Sequence, residues 1–298
     1  MNAIIQGKAY SKVNLFLNIV GKREDGYHLL ESLMVFADLS DSIMIAKADK
    51  FTVKYTGSSK SDIVVGEDTV SKAVQELSKY FDCNFKVAIQ VEKNIPVGAG
   101  LGGGSADAAL VLRMLIKLYK LGINNNALYK IAKKIGCDVP ICLENHACLV
   151  KGVGEVLLSV PYFNNIPAIF INPMKFLGAG DVFKNRTGDF SKSSIFKRSS
   201  IMENFLTFKN DLYDSAVSLV PEIAEIIHAI RAQKGCRLGA MSGSGATCFG
   251  LFNSVLLRDK AYKALQVMFK NYFVARTSIT HKGDTDFMTR ELDVNFCL

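Results

Sequence analysis

The chain has 298 residues, of which 49% are hydrophobic, with a formal net charge of +8 and only 6 prolines. This length and apolar content allow two domains with a sizeable core and exclude a disordered chain. Lysine and arginine are spread over both halves without a dense basic block. The charge therefore fits anionic small substrates and gives no support for a nucleic-acid partner. No uncharged apolar run approaches about 18 residues, so no membrane span is expected.

The 7 cysteines are odd in number, and none is spaced as Cys-x-x-Cys. Most of them lie in apolar runs. This usage predicts buried, free thiols in a reducing compartment such as the cytoplasm, rather than disulfides or zinc ligands. Lys8 and Lys12 interrupt the first apolar residues, a pattern that is not typical of a signal peptide.

The N-terminal half is predicted to contain strands followed by three helices. Apolar patterning indicates strands over residues 8–20, 27–36, 42–56 and 85–91, the first two joined by a turn. Asp68 or Thr69 caps the first helix, whose apolar stripe consists of Val70, Ala73, Val74, Leu77 and Phe81. Ser105 or Asp107 begins the second helix, and Asn126 caps a third that ends near Gly136.

The C-terminal half is predicted to begin with a strand at residues 166–171, followed by a polar loop at 185–200. Pro221 and Gly235 bracket a helix, and a glycine-serine turn with a strand follows it. Another helix is predicted over 258–271. Because strands and helices do not alternate strictly, we predict an α+β fold. We place a domain boundary near residue 160, which gives two domains, residues 1–160 and 161–298.

The most informative segment is the glycine-rich run at residues 96–109, between a predicted strand and a predicted helix. Glycine costs backbone entropy, so such a run predicts close approach of backbone N–H groups to an anion at a helix N-terminus. Glycine rather than lysine precedes Ser105, so the P-loop pattern fails. No acidic residue lies between Asp107 and Asp138, which argues against a nicotinamide dinucleotide site. We interpret the run as a phosphate site for another nucleotide; a turn that binds nothing is the alternative.

Three segments together resemble the GHMP kinases, a family of small-molecule kinases. They are residues 11–17 followed by 25–28, the glycine-rich run, and residues 242–246. Residues 136–140, Gly-Cys-Asp-Val-Pro, also fit. The Lys-x-Asn-Leu-x-Leu segment followed by Asp-Gly-Tyr-His is the specific part. It is similar to the members that phosphorylate a cytidine diphosphate-linked methylerythritol.

This resemblance implies an N-terminal domain like ribosomal protein S5 domain 2 and a ferredoxin-like C-terminal domain. It implies transfer of phosphate from ATP, with Mg²⁺, to the 2-hydroxyl of the methylerythritol moiety in the non-mevalonate isoprenoid precursor pathway. Two alternatives remain: a GHMP kinase that acts on homoserine or mevalonate, and a non-catalytic nucleotide-binding sensor. Tyr27 and His28 argue against the first because neither acceptor has a base to recognise, and retention of Lys12 with Asp138 argues against the second.

Lys12 and Asp138 are the candidate catalytic residues. A lysine in an apolar strand is costly to bury without a partner, and Asp138 is the natural partner. Asp138 could accept the substrate hydroxyl proton while Lys12 orients and stabilises the pair. A purely structural ion pair is the alternative.

The remaining site residues are assigned by the resemblance. Those expected at ATP are Pro96, Gly98, Gly100, Leu101, Gly102, Gly103, Gly104, Ser105 and Ala106, with Ser105 also a candidate for Mg²⁺ contact. Those expected at the acceptor substrate are Asn14, Tyr27, His28, Phe183, Gly243, Ser244 and Gly245, with the aromatic groups at cytosine. Two positions depart from the family pattern: Ala179 replaces a hydroxyl residue, and Asp68 replaces an asparagine that could hold adenine.

Overall fold

The computed structural model describes residues 3–59, 63–193, 208–283 and 288–291. Within these ranges the strands are β1 (Ala3–Lys22), β2 (His28–Lys47), β3 (Thr52–Thr56), β4 (Val87–Glu92), β5 (Cys148–Gly152), β6 (Val156–Ser159), β7 (Ile166–Asn172), β8 (Cys236–Met241), β9 (Cys248–Phe252), β10 (Phe273–Thr280) and β11 (Met288–Glu291). The helices are α1 (Thr69–Phe81), α2 (Gly103–Tyr119), α3 (Asn125–Ile135), α4 (Val139–Glu144), α5 (Ala179–Lys184), α6 (Tyr213–Leu219), α7 (Glu222–Arg231) and α8 (Val255–Met268). The predicted α+β class is confirmed.

A long hairpin of β1 and β2 carries much of the N-terminal half. The two strands pair antiparallel from Ile4 opposite Ala46 to Lys22 opposite His28, and the turn between them contains Gly26 at a φ of +89°. β2 also pairs with β4 and β5, and β3 adds to β4 in parallel. The apolar stripe of α1 and the nearly all-apolar α2 bury against this sheet, because burial of apolar surface is favourable.

The sheet continues from the N-terminal half into the C-terminal half. Its strand order passes from β2 through β10, β7 and β9 to β8, and α7 packs on β8 and β9. One buried cluster joins side chains of β1, such as Val13 and Leu15, to Phe170 and Phe249. The division at residue 160 stays a prediction, because sheet and core both run across it.

Several helix boundaries differ from the sequence prediction. The start of α2 is Gly103 rather than Ser105 or Asp107, and Gly102 caps it without a side chain. Asn124 rather than Asn126 caps α3, because its Oδ1 accepts a hydrogen bond of 2.9 Å from the N–H of Ala127. The helix α4, which follows Asp138, was not predicted. Part of the predicted loop at 185–200 lies outside the described residues.

No helix in the described ranges combines the length and the apolar character needed to cross a bilayer. The described cysteines are free thiols, with Cys142, Cys148 and Cys248 buried as predicted and Cys83 and Cys137 exposed. Cys297 lies outside the described residues.

Candidate active site

Lys12 and Asp138 form an ion pair that lines a cavity. Lys12 Nζ lies 2.9 Å from Asp138 Oδ2, and the side chains are 7% and 29% exposed. The pair joins β1 to the start of α4, which Asp138 directly precedes. Burial by itself lowers the pKa of Lys12, but the charge and hydrogen bond of Asp138 outweigh it and raise the pKa above its usual value. The ammonium therefore stays charged at neutral pH beside the carboxylate.

Asn14 continues this network on the same face of β1, two residues after Lys12. Its Oδ1 accepts a hydrogen bond of 3.0 Å from Lys12 Nζ, and its Nδ2 donates to Ser32 Oγ at 2.7 Å. Ser32 in turn donates to the carbonyl of Phe16 at 2.6 Å. These bonds fix the orientation of the Asn14 amide and hold the Lys12 ammonium from a second side.

The cavity that contains this pair measures about 500 Å³ and also holds the predicted aromatic residues. Tyr27 is 67% exposed at the hairpin turn. The rings of His28 and Phe183 stack with centroids 5.4 Å apart and planes inclined by 27°. Burial, aided by the charges of Lys22 and Arg186, lowers the pKa of His28, so its imidazole is neutral at pH 7. The structure thus brings a stacked pair of aromatic rings and the ion pair into one cavity.

The glycine-serine turn between β8 and β9 closes another side of the same cavity, which Gly243 and Ser244 line. A Cβ at Gly243 would lie 3.2 Å from Asn14 Oδ1 and 3.8 Å from Lys12 Nζ. Gly245 differs from them. A Cβ there would face Met241 and Leu177, so this residue packs toward the interior and does not line the cavity.

A second cavity of about 480 Å³ lies along the glycine-rich run. The α2 helix begins beside it, and no side chain caps its first N–H groups. Such an uncapped helix start carries partial positive charge and open donors, which suits a phosphate. The predicted residues that line this cavity are Pro96, Gly98, Gly100, Gly102, Gly103, Gly104 and Ser105. Leu101 and Ala106 do not; their side chains are buried in the core.

Two glycines of the run are required by packing within the chain. A Cβ at Gly100 would collide with the carbonyl oxygen of Gly245. A Cβ at Gly102, where φ is +65°, would lie 2.6 Å from Lys12 Cγ. The glycines therefore also let the run close onto the Lys12 strand and the turn between β8 and β9. Sequence reasoning attributed all of them to the approach of a phosphate.

A buried charge cluster beneath the glycine-rich run was not predicted. Lys93 Nζ bonds to Asp41 and, at 2.6 Å, to Asp107 Oδ2. Asp107 Oδ1 is buried and has no hydrogen-bond partner. Burial, together with the nearby Asp41 charge, raises the pKa of Asp107 to about 7 despite the Lys93 charge. The sequence gives little signal for this cluster, because Asp41 lies between two serines and Lys93 between Glu92 and Asn94, just after β4.

Asp68, where the family pattern has asparagine, makes hydrogen bonds with both carboxylate oxygens. Oδ1 accepts from Tyr55 Oη at 2.6 Å and from the N–H of Ser71 at 2.8 Å. Oδ2 accepts from Ser71 Oγ at 2.6 Å and from the N–H of Gly66 at 3.0 Å. Asp68 and Tyr55 both line the second cavity. Ala179, the other departure, lines the first cavity at the start of α5.

Two parts of the chain match a known family. Residues 68–146 match the family described as GHMP kinases N terminal domain, and residues 199–285 match GHMP kinases C terminal. The matches cover the glycine-rich run with Asp138 and the turn at residues 242–246.

Individual relatives are similar over most of the chain. A 4-diphosphocytidyl-2-C-methyl-D-erythritol kinase of Paramagnetospirillum magneticum is 40% identical, over 82% of this chain and 88% of that protein. One of Rhizobium etli is 35% identical, over 93% of this chain and 95% of that protein. A crystal structure of 4-(cytidine 5'-diphospho)-2C-methyl-D-erythritol kinase superposes with a TM-score of 0.76 at 29% identity. It covers 92% of this chain and 99% of that one.

Proposed function

The chain belongs to the 4-diphosphocytidyl-2-C-methyl-D-erythritol kinases within the GHMP kinase family, and from this premise we propose how its residues carry out the reaction. It is an ATP-dependent phosphotransferase that acts on the 2-hydroxyl of the cytidylylated methylerythritol in the non-mevalonate pathway. The observation that carries the proposal is the Lys12–Asp138 ion pair, which shares one cavity with Tyr27, His28 and Phe183.

Asp138 is the proposed general base. Its carboxylate faces the cavity and would accept the proton of the 2-hydroxyl as the oxygen attacks phosphorus. The raised pKa of Lys12 supports a permanent ammonium, which stabilises the carboxylate and the negative charge that develops on the attacking oxygen. Phosphoryl transfer depends mainly on positioning and charge neutralisation, so one base and one cation are sufficient side chains.

The second cavity is the proposed site of ATP, which supplies the phosphoryl group when bound. The uncapped start of α2 and the glycine-rich run offer backbone donors to its phosphates. No group of three or more acidic, histidine or cysteine side chains suited to a metal occurs in the described residues. Mg²⁺ in kinases is usually held by the substrate phosphates together with one or two protein carboxylates. Ser105 at the start of α2 lines the cavity and is the proposed hydroxyl contact.

The acceptor substrate is proposed to bind in the first cavity. Tyr27 and Phe183 provide aromatic faces for cytosine, while neutral His28 can exchange a hydrogen bond with the edge of the base. Asn14 would hold hydroxyls beside the reacting oxygen. Gly243 and Ser244 would meet the diphosphate, whose negative charge suits backbone N–H groups.

A test of this assignment is ATP consumption with three acceptors: the cytidine diphosphate-linked methylerythritol, homoserine and mevalonate. We expect turnover with the first alone. Phosphorus NMR of the product should show a phosphomonoester without coupling to a proton on the esterified carbon, because the 2-carbon is tertiary. Turnover with homoserine or mevalonate alone would assign a different GHMP kinase. ATP binding without turnover on any acceptor would favour the sensor.

Two further assignments belong to the proposal. The division into an ATP-binding and catalytic domain at 1–160 and a substrate-binding domain at 161–298 is supported by the two family matches. A cytoplasmic location is supported by the free thiols among the described cysteines.

A further inference from the structure

Asn210 lies outside the sequence motifs but directly behind the turn that lines the acceptor cavity. The segment around it runs beside β1, close to Asn14. The N–H of Leu17 donates to the carbonyl of Lys209 at 2.9 Å, and the N–H of Asp211 donates to the carbonyl of Leu17 at 2.8 Å. The carboxylate of Asp211 also accepts the N–H of Ile19 at 2.7 Å. Asn210 is thus fixed to the strand that carries Lys12.

Both ends of the Asn210 side-chain amide form hydrogen bonds. Nδ2 donates to the carbonyl of Met241 at 3.0 Å and to that of Gly243 at 2.8 Å. Oδ1 accepts the N–H of Leu212 at 3.0 Å, which sets the direction in which Nδ2 points. One side chain therefore holds two carbonyls of the turn, on either side of Ser242.

The turn is also fixed from its other side. Ser242 Oγ accepts the N–H of Asn14 at 3.2 Å and donates to the carbonyl of Gly100 at 3.3 Å. The N–H of Ser242 donates to the carbonyl of Thr247 at 2.9 Å. With these bonds in place, the peptide between Gly243 and Ser244 is the part of the turn whose orientation depends on Asn210.

The orientation of that peptide matters for the acceptor. In a trans peptide the C=O and the N–H point in opposite directions. Because Asn210 holds the carbonyl of Gly243, the N–H of Ser244 points away from Asn210, and both Gly243 and Ser244 line the acceptor cavity. Without Asn210 the peptide could rotate and present its carbonyl oxygen, which would repel an anion.

We propose that Asn210 is a positioning residue that orients the Ser244 N–H toward the anionic diphosphate of the acceptor. This inference rests on the proposed function for the identity of the acceptor. It assigns to the amide of Asn210 a role in acceptor binding and none at the reacting atoms or at ATP.

The test compares Asn210→Asp with the wild type. Aspartate keeps the shape and the acceptor for Leu212 N–H, but it places an oxygen against two carbonyls. We expect the KM for the cytidylylated acceptor and the calorimetric Kd for CDP to rise at least tenfold, while the KM for ATP changes less than twofold. Asn253→Asp is the matched control, because Asn253 is exposed and bonds only to Arg237 by its side chain in the described structure. It should leave every constant unchanged.

A purely structural role would give a different result. If Asn210→Asp lowers the melting temperature but leaves the acceptor KM and CDP affinity unchanged, or weakens ATP and acceptor equally, the proposal is wrong. If the aspartate variant does not fold, Asn210→Ser serves instead. Its side chain is shorter and has a single donor for two carbonyls, so it should weaken CDP binding without affecting ATP. Failure of the wild type to turn over the acceptor would refute the proposed function instead, while CDP binding would still test Asn210.

Discussion

At the scale of single residues, the candidate site contains buried charges that each have an oppositely charged partner. Lys12 is nearly fully buried, and it remains charged because Asp138 and Asn14 surround its ammonium. Removal of one partner would leave an uncompensated buried charge, which is strongly unfavourable. In the proposed mechanism, chemistry and local stability therefore depend on the same pair.

This pairing leads to a prediction for turnover. Asp138→Asn should reduce kcat by roughly 10²–10⁴, the usual range for a general base, and leave the KM for ATP nearly unchanged. Lys12→Met should lose a comparable factor, and the double variant should lose little more because the two groups act as a unit. Steady-state kinetics with Asp49→Asn as an exposed control would measure this. Near-normal kcat in Asp138→Asn would remove the residue from the mechanism.

The exposed Tyr27 offers a cleaner test of base recognition than a buried residue. Stacking on a nucleobase is worth roughly 1–3 kcal/mol in single-strand binding proteins, so Tyr27→Ala should raise the acceptor KM about tenfold or more. The KM for ATP should stay the same, because ATP is proposed to bind in the other cavity. Tyr162→Ala, which removes another exposed tyrosine, is the control. Equal losses for ATP and acceptor would contradict a cytidine pocket at this turn.

At the scale of elements, the glycine-rich run connects β1, α2 and the turn between β8 and β9. Gly103 faces Ile95 and Asp41, so a larger side chain there would disturb the core rather than block a phosphate. Gly102 is the more informative position, because its missing Cβ makes room for the stem of Lys12.

Gly102→Ala should therefore displace Lys12 and reduce kcat by at least tenfold. The cause is a contact of 2.6 Å with Lys12 Cγ, added to the strain of a side chain at a φ of +65°. Gly122→Ala is the matched control, since nothing lies within 4 Å of a Cβ at Gly122. Kinetics and a melting curve for both variants would check this. An active Gly102→Ala enzyme would show that the Lys12 side chain can shift without loss of activity, which would contradict this prediction.

The start of α1 gives a prediction for stability. Asp68→Asn should reduce the free energy of unfolding by about 1–2 kcal/mol, because an amide offers one acceptor oxygen where four donors now share two. Urea unfolding would measure the loss. Asn124→Asp at the cap of α3 is the reverse exchange and should be nearly neutral. Equal effects of the two exchanges would mean that Asp68 acts only as an ordinary cap.

At the scale of the whole molecule, both cavities are built on the same sheet, from β11 to β8, and on the core that it shares between the two halves. The buried charge cluster of Lys93, Asp41 and Asp107 stabilises this arrangement by joining β2 to α2. The cluster holds two carboxylates and one ammonium, so its net charge depends on protonation of Asp107.

This cluster predicts a pH dependence of stability. The pKa of Asp107 is about 7 in the folded chain against an ordinary 3.8, so the folded state binds a proton that the unfolded state has already released between these values. The stability of the wild type relative to Asp107→Asn should therefore fall as the pH rises from about 5 to about 8. The raised pKa of Lys93 keeps it charged throughout this window. Urea unfolding of both proteins at the two pH values would test this, and a constant difference would contradict it.

The sequence alone determined the α+β class, most elements, the family resemblance and the Lys12–Asp138 pair. These follow from local patterns: periodic apolar residues, glycine next to a helix start, and charges within apolar strands. Boundaries such as the start of α3 were missed by two residues, because any of three consecutive asparagines, residues 124–126, could serve as the cap, and the sequence does not show which side chain bonds to a free N–H.

Only the tertiary structure decided which residues act together across the chain. Two sets of contacts join segments that are distant in sequence, and no regular spacing in the sequence predicts them. They are Asn210 with Met241 and Gly243, and Lys93 with Asp41 and Asp107. The structure also reassigned Gly100 and Gly102, since a glycine required by a neighbouring backbone or side chain has the same sequence signature as one required by a phosphate. A sequence records which residue tolerates a close approach; the fold determines what approaches it.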